Sequence, residues 1–498
     1  MIATILALCL SASYAESKPV VVGSKKFTES VLLAEIARLS LLHEGLAALH
    51  NKELGGTRIL WNALLNGDVD AYVEYTGTLA DEILREKNTG FDELKTKLAK
   101  LGVGVLPPLG FNNTYAVGMR RSVAEQLKIK KISDLANHPN LKIGWGDEFR
   151  LRNDGWPGLK KRYDLPHQFV RGMDHDIAYR ALESGDIQVT DLYSTDAEIA
   201  YYDLLILEDD LKFFPRYEAV FLYRMDLAQS NAQFFKALNR MSGKISDATM
   251  IAMNRRAKVE KIPAGVIAAE FLNKKFGLAT EHRVVSRSER IFVRSKEHVA
   301  LVFVSLFFAI LAAIPLGILA EKIPGLGRGI LLIVGIIQTI PALALLVALI
   351  RPLNMIGLRG IGDTPALIAL FLYGLLPIVR STHTGFQQIS ATFREAAAVL
   401  CLRLSTRLFR VEIPLALPMI LSGIKTSAVM CVGFATLGAL VGAGGYGQPI
   451  LAGIRLDDYG LILEGAIPAA VLALVVQQFF DFVERRLVSP GLRSTGNK

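Results

Sequence analysis

The 498-residue sequence predicts a two-lobed α/β domain followed by an all-α membrane domain of about five transmembrane helices. From Lys18 to about Val285, short β-branched runs alternate with amphipathic stretches, which is typical of parallel sheets covered by helices. After Arg290, apolar runs approach or exceed the roughly 20 residues that a helix needs to cross a bilayer. The length also exceeds one ordinary domain, which agrees with a division into at least two.

The N-terminus predicts a signal peptide over residues 1–15, because an apolar stretch ends in Ser13-Tyr14-Ala15 before polar residues. The residue before Cys9 is not small, as a lipid-attachment site requires, so we expect cleavage without lipidation. The segment that would be exported contains no cysteine, which excludes a disulfide framework there.

The expected extracytoplasmic domain covers residues 18–285 and divides into two lobes. The chain is expected to cross between the lobes near Val117–Ser122 and Arg216–Tyr223. The resulting segments are residues 18–118 and 220–285 for lobe 1 and residues 119–219 for lobe 2. Two α/β lobes joined by hinges around a cleft form a ligand-clamping architecture.

The membrane domain is expected over residues 299–485, after a linker at 286–298. Its apolar runs lie at about 299–320, 330–350, 364–380, 415–441 and 461–483. Lys and Arg concentrate in the loop 381–412 and the tail 486–498, which places both in the cytoplasm by the positive-inside rule. This topology accounts for the net charge of +9, and no nucleic-acid motif accompanies that charge.

The loop between the third and fourth apolar runs combines a helix-favouring start at Arg394–Leu400 with a basic second arm that ends at Pro414. No phosphate-binding G-x-x-x-x-G-K-[ST] sequence occurs in the chain, so a separate polypeptide is expected to hydrolyse ATP. Neither a metal-ligand spacing nor a cofactor motif is present, and we expect no enzyme activity, metal or cofactor.

This membrane portion resembles the permease subunits of ABC importers for osmoprotectants, namely glycine betaine, choline and carnitine. The resemblance rests on His298–Gly317, Gln338–Ala344, the loop, and Gly438–Gly447. It implies that two copies of the chain pair in the membrane and that the loop docks on the ATPase. The residues implied in docking are Glu395, Ala396, Ala397, Cys401 and Pro414. The family usually has glycine where Cys401 stands, so a less tight helix turn is expected there.

The first half resembles the binding proteins of the same importers, which have a two-lobed periplasmic-binding-protein fold of the type II kind. The matching segments are Val21–Ser30, Leu54–Thr57, Gly67–Thr78, Gly110–Tyr115, Asp191–Asp196 and Phe213–Val220. The resemblance implies an aromatic cage for a quaternary ammonium ion, built from Tyr75, Tyr115, Tyr193 and Tyr217. Such an ion has no N–H to donate and is held by the negative faces of aromatic rings.

An anionic tail on the ligand would need hydrogen-bond donors near the cage. Ser24, Ser30, Thr78 and Asn112 are candidates, together with the helix N-terminus near Thr28–Ser30. The family commonly has glutamine where Ser30 stands, which leaves choline, betaine, carnitine or a bulkier trimethylammonium compound open as the ligand.

Several alternatives remain at this point. The tyrosines could instead pack the interface between the lobes, and Lys25 and Lys26 are expected as solvated surface charges. Glu148, Arg152 and Asp154 are interpreted as lobe structure or a salt-bridge network. At the level of function, the alternatives are an importer of another betaine-like or amino-acid solute, a membrane-anchored sensor, and an enzyme acting on choline-like compounds.

Overall fold

The computed structural model describes residues 18–86, 89–168, 170–280 and 285–489. The expected signal peptide, residues 1–15, and most of the expected tail lie outside the described residues. The chain divides into two compact units, Met1–Val284 and Val285–Lys498. Each unit is described by itself below.

The described strands of the first unit form two main layers. They are β1 (Val20–Gly23), β2 (Ala48–Asn51), β3 (Ala71–Tyr75), β4 (Val103–Val105), β5 (Tyr115–Arg120), β6 (Ile143–Gly146), β7 (Val170–Met173), β8 (Thr190–Tyr193), β9 (Leu204–Ile206) and β10 (Ala219–Arg224). One sheet has the order β2-β1-β3-β10-β4, with β10 antiparallel to its neighbours. The second layer holds the sheet β8-β5-β9 and the parallel pair β6-β7, which an isolated bridge between Ile143 and Val189 connects.

The helices of this unit alternate with the strands. They are α1 (Thr28–His43), α2 (Thr57–Leu65), α3 (Thr76–Thr78), α4 (Phe91–Ala99), α5 (Arg121–Leu127), α6 (Asp147–Leu151), α7 (Trp156–Tyr163), α8 (His175–Ser184), α9 (Glu198–Tyr201), α10 (Met225–Ser230), α11 (Ala232–Asn239), α12 (Asp247–Lys258) and α13 (Ala264–Phe276). A π turn spans Leu79–Leu84 and a 3₁₀ turn spans Ile132–Asn137. Helix α1 is almost wholly buried, because α11, α12 and α13 pack against it.

The first crossover between the sheets lies earlier than the sequence predicted. Strand β5 begins at Tyr115 and pairs with β8 and β9, so the chain reaches the second sheet before Tyr115. The predicted crossover at Val117–Ser122 falls within and just after this strand. An apolar run such as Tyr115–Met119 predicts a strand but carries no information about which sheet accepts it.

The second unit is helical throughout its described part. Its helices are α14 (Arg287–Lys322), α15 (Pro324–Thr339), α16 (Ala342–Met355), α17 (Asp363–Gln387), α18 (Ala391–Val399), α19 (Leu404–Arg407), α20 (Ile413–Ala435), α21 (Gly447–Leu456) and α22 (Tyr459–Leu487). A π turn at Leu408–Glu412 precedes α20, and a 3₁₀ turn at Thr436–Val441 follows it. Four helical segments are long and apolar enough to span a membrane, or up to five if α15 and α16 count as one. The expected mixed fold with a helical membrane domain is confirmed.

Two expected features of this unit take a different form. The predicted span at 330–350 is broken into α15 and α16, which meet at an angle of 102°. Pro341 lies at the break. The helix is interrupted there because proline cannot donate the backbone hydrogen bond that would continue it. The expected linker at 286–298 is the start of α14, whose N-cap Ser286 accepts a hydrogen bond from the N–H of Glu289.

The segment after α17 shows how the chain accommodates Cys401. Cys401 has a φ of +48°, the left-handed conformation in which glycine is favoured over residues with a Cβ atom. The N–H of Leu402 nevertheless closes the end of α18 on the carbonyl of Ala397 at 3.3 Å. The less tight turn at Cys401 stays a prediction, and its left-handed backbone costs a residue with a Cβ atom roughly 1–2 kcal/mol.

Candidate functional site

A cavity of about 240 Å³ lies in the first unit where strand ends of the two layers face each other. Its lining includes the four tyrosines that the resemblance singled out, Tyr75, Tyr115, Tyr193 and Tyr217. Thr78 lines the cavity as well. The structure thus brings five of the predicted binding residues together.

Strand geometry places these rings. Tyr75 is the last residue of β3, Tyr115 is the first of β5, and Tyr193 is the last of β8. Because β5 and β8 are antiparallel, Tyr115 and Tyr193 are register partners and their ring centroids lie 5.2 Å apart. Tyr217 precedes β10 and meets Tyr115 edge-on at 5.6 Å. A Cβ atom at Gly77 would come within 2.6 Å of the Tyr217 ring, so glycine is needed there.

Two phenylalanines complete the aromatic wall, and the sequence reasoning did not assign them. Phe27 stacks on Tyr193 at 5.6 Å and lies 6.2 Å from Tyr75. Phe149 packs on Tyr115 at 5.0 Å. Phe27 stands within the matched segment Val21–Ser30, which was the one signal available for it.

Three of the predicted donors lie outside the cavity lining. The Ser24 hydroxyl is bonded to Nε2 of His50 at 2.8 Å, and the Ser30 hydroxyl accepts from the N–H of Lys25 at 2.8 Å. Oδ1 of Asn112 accepts from the N–H of Tyr217 at 2.7 Å, which makes Asn112 a support for the ring. The neighbouring Asn113 lines the cavity instead.

Lys25 is buried, so the expectation of a solvated surface charge is wrong for this residue. Its Nζ contacts the carboxylate of Glu74 and donates to Thr57 at 2.9 Å, and it lies 5.5 Å from the centre of the Tyr75 ring. Glu74 supplies the opposite charge that allows a lysine to be buried. Lys26 is exposed and pairs with Asp174 at 3.1 Å.

Arg152 and Asp154 form a buried ion pair, as the interpretation of a salt-bridge network anticipated. The same arginine also lines the cavity, donates to Thr78 at 3.3 Å, and lies 5.5 Å from the centre of the Tyr115 ring. The hydroxyl of Tyr217 donates to Asp154 at 2.8 Å. The ion pair therefore fixes two cage rings as well as the second layer.

His175 stands behind the Tyr193 ring, with centroids 4.5 Å apart. Its ring nitrogens face Asp191 at 3.3 Å and Asp196 at 3.1 Å. Burial alone would lower the pKa of His175, but these two carboxylates outweigh burial and raise that pKa well above its usual value. His175 is thus a cation at neutral pH.

The cage hydroxyls remain protonated at physiological pH. Burial is the main cause that raises the pKa of all four cage tyrosines above the ordinary phenol value. The cage rings are therefore neutral, and the hydroxyls of Tyr75 and Tyr217 are fixed by Glu29 and Asp154.

The cavity lining is acidic overall. It holds the five carboxylates Asp147, Glu148, Asp174, Asp176 and Asp191 and the four basic residues Lys25, Lys26, Arg152 and His175. Each of these basic side chains has an acidic partner described above. Asp147 and Glu148 are exposed and form no ion pair within the described part of the chain, although Arg150 lies close to Asp147 beside Gly172.

The predicted coupling residues occupy the segment around α18. Glu395, Ala396, Cys401 and Pro414 are exposed, whereas Ala397 is buried. The same segment exposes large apolar side chains that sequence reasoning did not single out. These are Phe393 at 54%, Val399 at 82%, Leu400 at 69%, Leu404 at 83% and Phe409 at 67% exposure.

Glu412 connects this segment to the first membrane helix. Its carboxylate is buried, accepts from Nζ of Lys322 at 2.8 Å, and accepts from Nε of Arg407 at 2.7 Å. Lys322 ends α14, and Arg407 ends α19. One carboxylate thus joins the segment to α14.

A family model described as the substrate binding domain of ABC-type glycine betaine transport systems matches residues 18–274, more than half of the chain. The chain belongs to this family. A second model, described as the inner membrane component of binding-protein-dependent transport systems, matches residues 313–489. One polypeptide therefore joins a glycine-betaine-type binding domain to an ABC permease domain, and the predicted fusion is confirmed. A permease domain of this kind works with an ATPase subunit.

The relatives of this fused binding protein and permease each match about half of the chain or less. The ergothioneine transport permease/ergothioneine binding protein EgtU of Helicobacter pylori is 34% identical over 268 residues, covering 52% of this chain. The chain spans about half of that relative, 48%. The choline transport system permease protein OpuBB of Bacillus subtilis is 34% identical over 203 residues, covering 41% of this chain and 91% of that protein.

A solved structure described as a glycine betaine/carnitine/choline ABC transporter is 30% identical, with a TM-score of 0.44, and covers 51% of this chain and 98% of that one. The permease match and the apolar helices confirm the predicted location. The protein is a multi-pass protein of the inner membrane, with its binding domain on the extracytoplasmic side.

Proposed function

We propose that this chain is the fused binding-protein and permease subunit of an ABC importer that takes up a quaternary ammonium compound, driven by ATP. The observation that carries the proposal is the cavity lined by Tyr75, Tyr115, Tyr193 and Tyr217. The cation of the ligand would lie among these rings, where aromatic faces attract a desolvated ammonium by about 2 kcal/mol or more.

The size and charge of the cavity support a small cationic or zwitterionic ligand. A volume of about 240 Å³ is below the roughly 300–1,000 Å³ of pockets for drug-sized ligands, which favours a small solute. The exposed carboxylates of Asp147 and Glu148 favour a positive group beside them, with an attraction that solvent weakens. Candidates are choline, glycine betaine and carnitine, with ergothioneine added by the name of the Helicobacter relative, since it also carries a trimethylammonium group.

Thr78 and Asn113 are the neutral polar side chains that we propose for the rest of the ligand. Both line the cavity, and both already bond to fixed charged groups, Thr78 to Arg152 and Asn113 to Glu29. Ser24, Ser30 and Asn112 would act indirectly, by holding the backbone around the cage.

The membrane half supports coupling to a separate ATPase chain. Val399, Leu400 and Leu404 expose apolar surface next to Glu395, Ala396 and Cys401, and such a patch is typical of a protein interface. ATPase closure against this segment would switch the permease, and the buried Ala397 would support the docking helix. We propose that two copies of the chain pair to form one translocation path.

The proposal is tested by calorimetric titration of the full chain in nanodiscs with choline, glycine betaine, carnitine, ergothioneine and α-amino acids. We expect at least one trimethylammonium compound to bind more tightly than every amino acid. Binding of amino acids alone would contradict the proposed ligand class. Uptake of the bound ligand is then measured in cells that contain the cognate ATPase. An importer takes the ligand up, whereas a sensor binds it without uptake.

A further inference from the structure

Glu29 is a buried carboxylate that connects four separate segments of the first unit. It lies in the first turn of α1 and is 2% exposed. Its Oε1 accepts from the hydroxyl of Tyr75 at 2.6 Å and from Nδ2 of Asn113 at 2.9 Å. Its Oε2 accepts from the hydroxyl of Thr195 at 2.6 Å and from Nδ2 of Asn254 at 3.1 Å.

These partners come from both layers of the fold. Tyr75 ends a strand of the first sheet, and Asn254 lies on α12, which packs against α1. Thr195 follows β8 of the second sheet, and Asn113 lies in the segment that leads into β5. Nδ2 of Asn254 also donates to the carbonyl of Thr195 at 3.0 Å, so Thr195 is held twice from the side of the first sheet.

The hydrogen-bond donors around Glu29 indicate the state of its carboxylate. Each oxygen of Glu29 accepts two hydrogen bonds, which fits an ionised, acceptor-only group. Burying such a charge is unfavourable unless hydrogen bonds replace the lost water. If the second sheet moved away, Thr195 would leave and one oxygen of Glu29 would lose its strongest partner. The free energy of Glu29 thus depends on whether the two layers are closed on each other.

We propose that Glu29 is a positioning residue that latches the closed state: it holds Tyr75 and Asn113 at the cavity while Thr195 keeps the second lobe docked. This inference rests on the proposed function, because it assigns the latch to retention of the caged cation. Two of its partners, Tyr75 and Asn113, line the cavity, so ligand contact and lobe closure share one carboxylate.

The test compares three variants of threonines on and just after β8. Thr195→Val removes the hydroxyl and keeps the shape, while Thr195→Ser keeps the hydroxyl. Thr190→Val is the matched control, because Thr190 is buried at the start of β8 and its hydroxyl makes no hydrogen bond within the described residues. Full-length protein in nanodiscs is used throughout.

Release of radiolabelled choline is measured by rapid filtration. We expect Thr195→Val to release choline about 10-fold faster with an unchanged association rate, since a hydrogen bond to a charged group is lost. Thr195→Ser and Thr190→Val should both stay within about two-fold of wild type. Equal release rates for Thr195→Val and Thr190→Val, or failure of Thr195→Ser to restore slow release, would overturn the latch.

A second readout needs no ligand and separates the two proposals. Donor and acceptor dyes on the two lobes report the closed and open populations by single-molecule energy transfer, and Thr195→Val should lower the closed-to-open ratio about 10-fold relative to Thr190→Val. Glu29→Gln removes the carboxylate itself and should also lower the population of the closed state. An unchanged closed fraction in both variants refutes the latch. Wild-type protein that binds no trimethylammonium compound but opens in Thr195→Val refutes the proposed ligand class alone.

Discussion

Replacement of Tyr217 by leucine should weaken binding of a trimethylammonium ligand more than any equivalent change in the cage. The rings of Tyr75, Tyr115 and Tyr193 each face a cation of the protein itself, namely Lys25, Arg152 and His175 in turn. The cation of Arg152 lies over the Tyr115 ring and reaches Tyr217 only through Asp154, the carboxylate to which both side chains bond. The hydrogen bond from the Tyr217 hydroxyl to Asp154 adds electron density to this ring.

The magnitude follows from the desolvated cation–π range. Loss of about 2 kcal/mol in Tyr217→Leu corresponds to roughly 30-fold weaker binding. Tyr193→Leu should lose about 1 kcal/mol, or roughly five-fold, because His175 already polarises that ring. Tyr217→Phe keeps the π face and is the control, with an expected change of about two-fold.

Calorimetry with two ligands separates charge from shape. Choline is compared with its neutral carbon analogue, in which a tert-butyl group replaces trimethylammonium. Tyr217→Leu should reduce the preference for choline over the analogue by the same roughly 30-fold. If the variant weakens both ligands equally, the cage acts by shape alone. If Tyr193→Leu has the larger effect on that preference, the argument from shared cations is wrong.

Two further predictions concern charges outside the cage. His175→Gln should destabilise the binding domain by about 1–3 kcal/mol near pH 6, where the imidazolium contribution is fully present. The difference from wild type should shrink as the pH rises through the folded-state pKa of His175, which its two carboxylate neighbours hold well above the ordinary value. In the membrane half, Glu412→Gln should slow uptake about 5–10-fold without changing choline affinity, since the bridge from Lys322 to Arg407 is lost.

Each of these two predictions has a matched control variant. His43→Gln changes an exposed histidine of the same domain and should leave denaturant midpoints unchanged at every pH. A pH-independent loss in His175→Gln would contradict the imidazolium assignment. Asp481→Asn removes another ion pair of the membrane unit, with Lys425 at 2.8 Å, and should leave uptake close to wild type. Equal slowing by both variants would show a general effect on the membrane unit.

Much of the fold was open to prediction because its signals are local. Alternating β-branched and amphipathic segments predicted the layered domain, and apolar length predicted the membrane spans. The sequence shows the proline at position 341 but not whether it interrupts the helix, because prolines are also tolerated inside membrane helices. The assignment of β5 to a sheet depends on pairing with Tyr193 and Leu204, which are distant in sequence.

The site was predictable only in part. The four tyrosines came from resemblance to a family, because nothing in their spacing brings them together. Lys25 is buried against Glu74, 49 residues away, and no local pattern indicates that pairing. The bonds of Glu29 to Thr195 and Asn254 span 166 and 225 residues, which places them beyond any periodicity argument.

The unusual turn at Cys401 has a practical consequence. Its thiol is exposed, whereas the thiol of Cys431 is buried between membrane helices. A maleimide applied to the intact protein should therefore react first at Cys401, in the segment where the ATPase is proposed to dock. Cys401, which stands where the family usually has glycine, thus gives the protein a native chemical reporter. Its rate of alkylation should follow how far the ATPase covers this segment during the transport cycle.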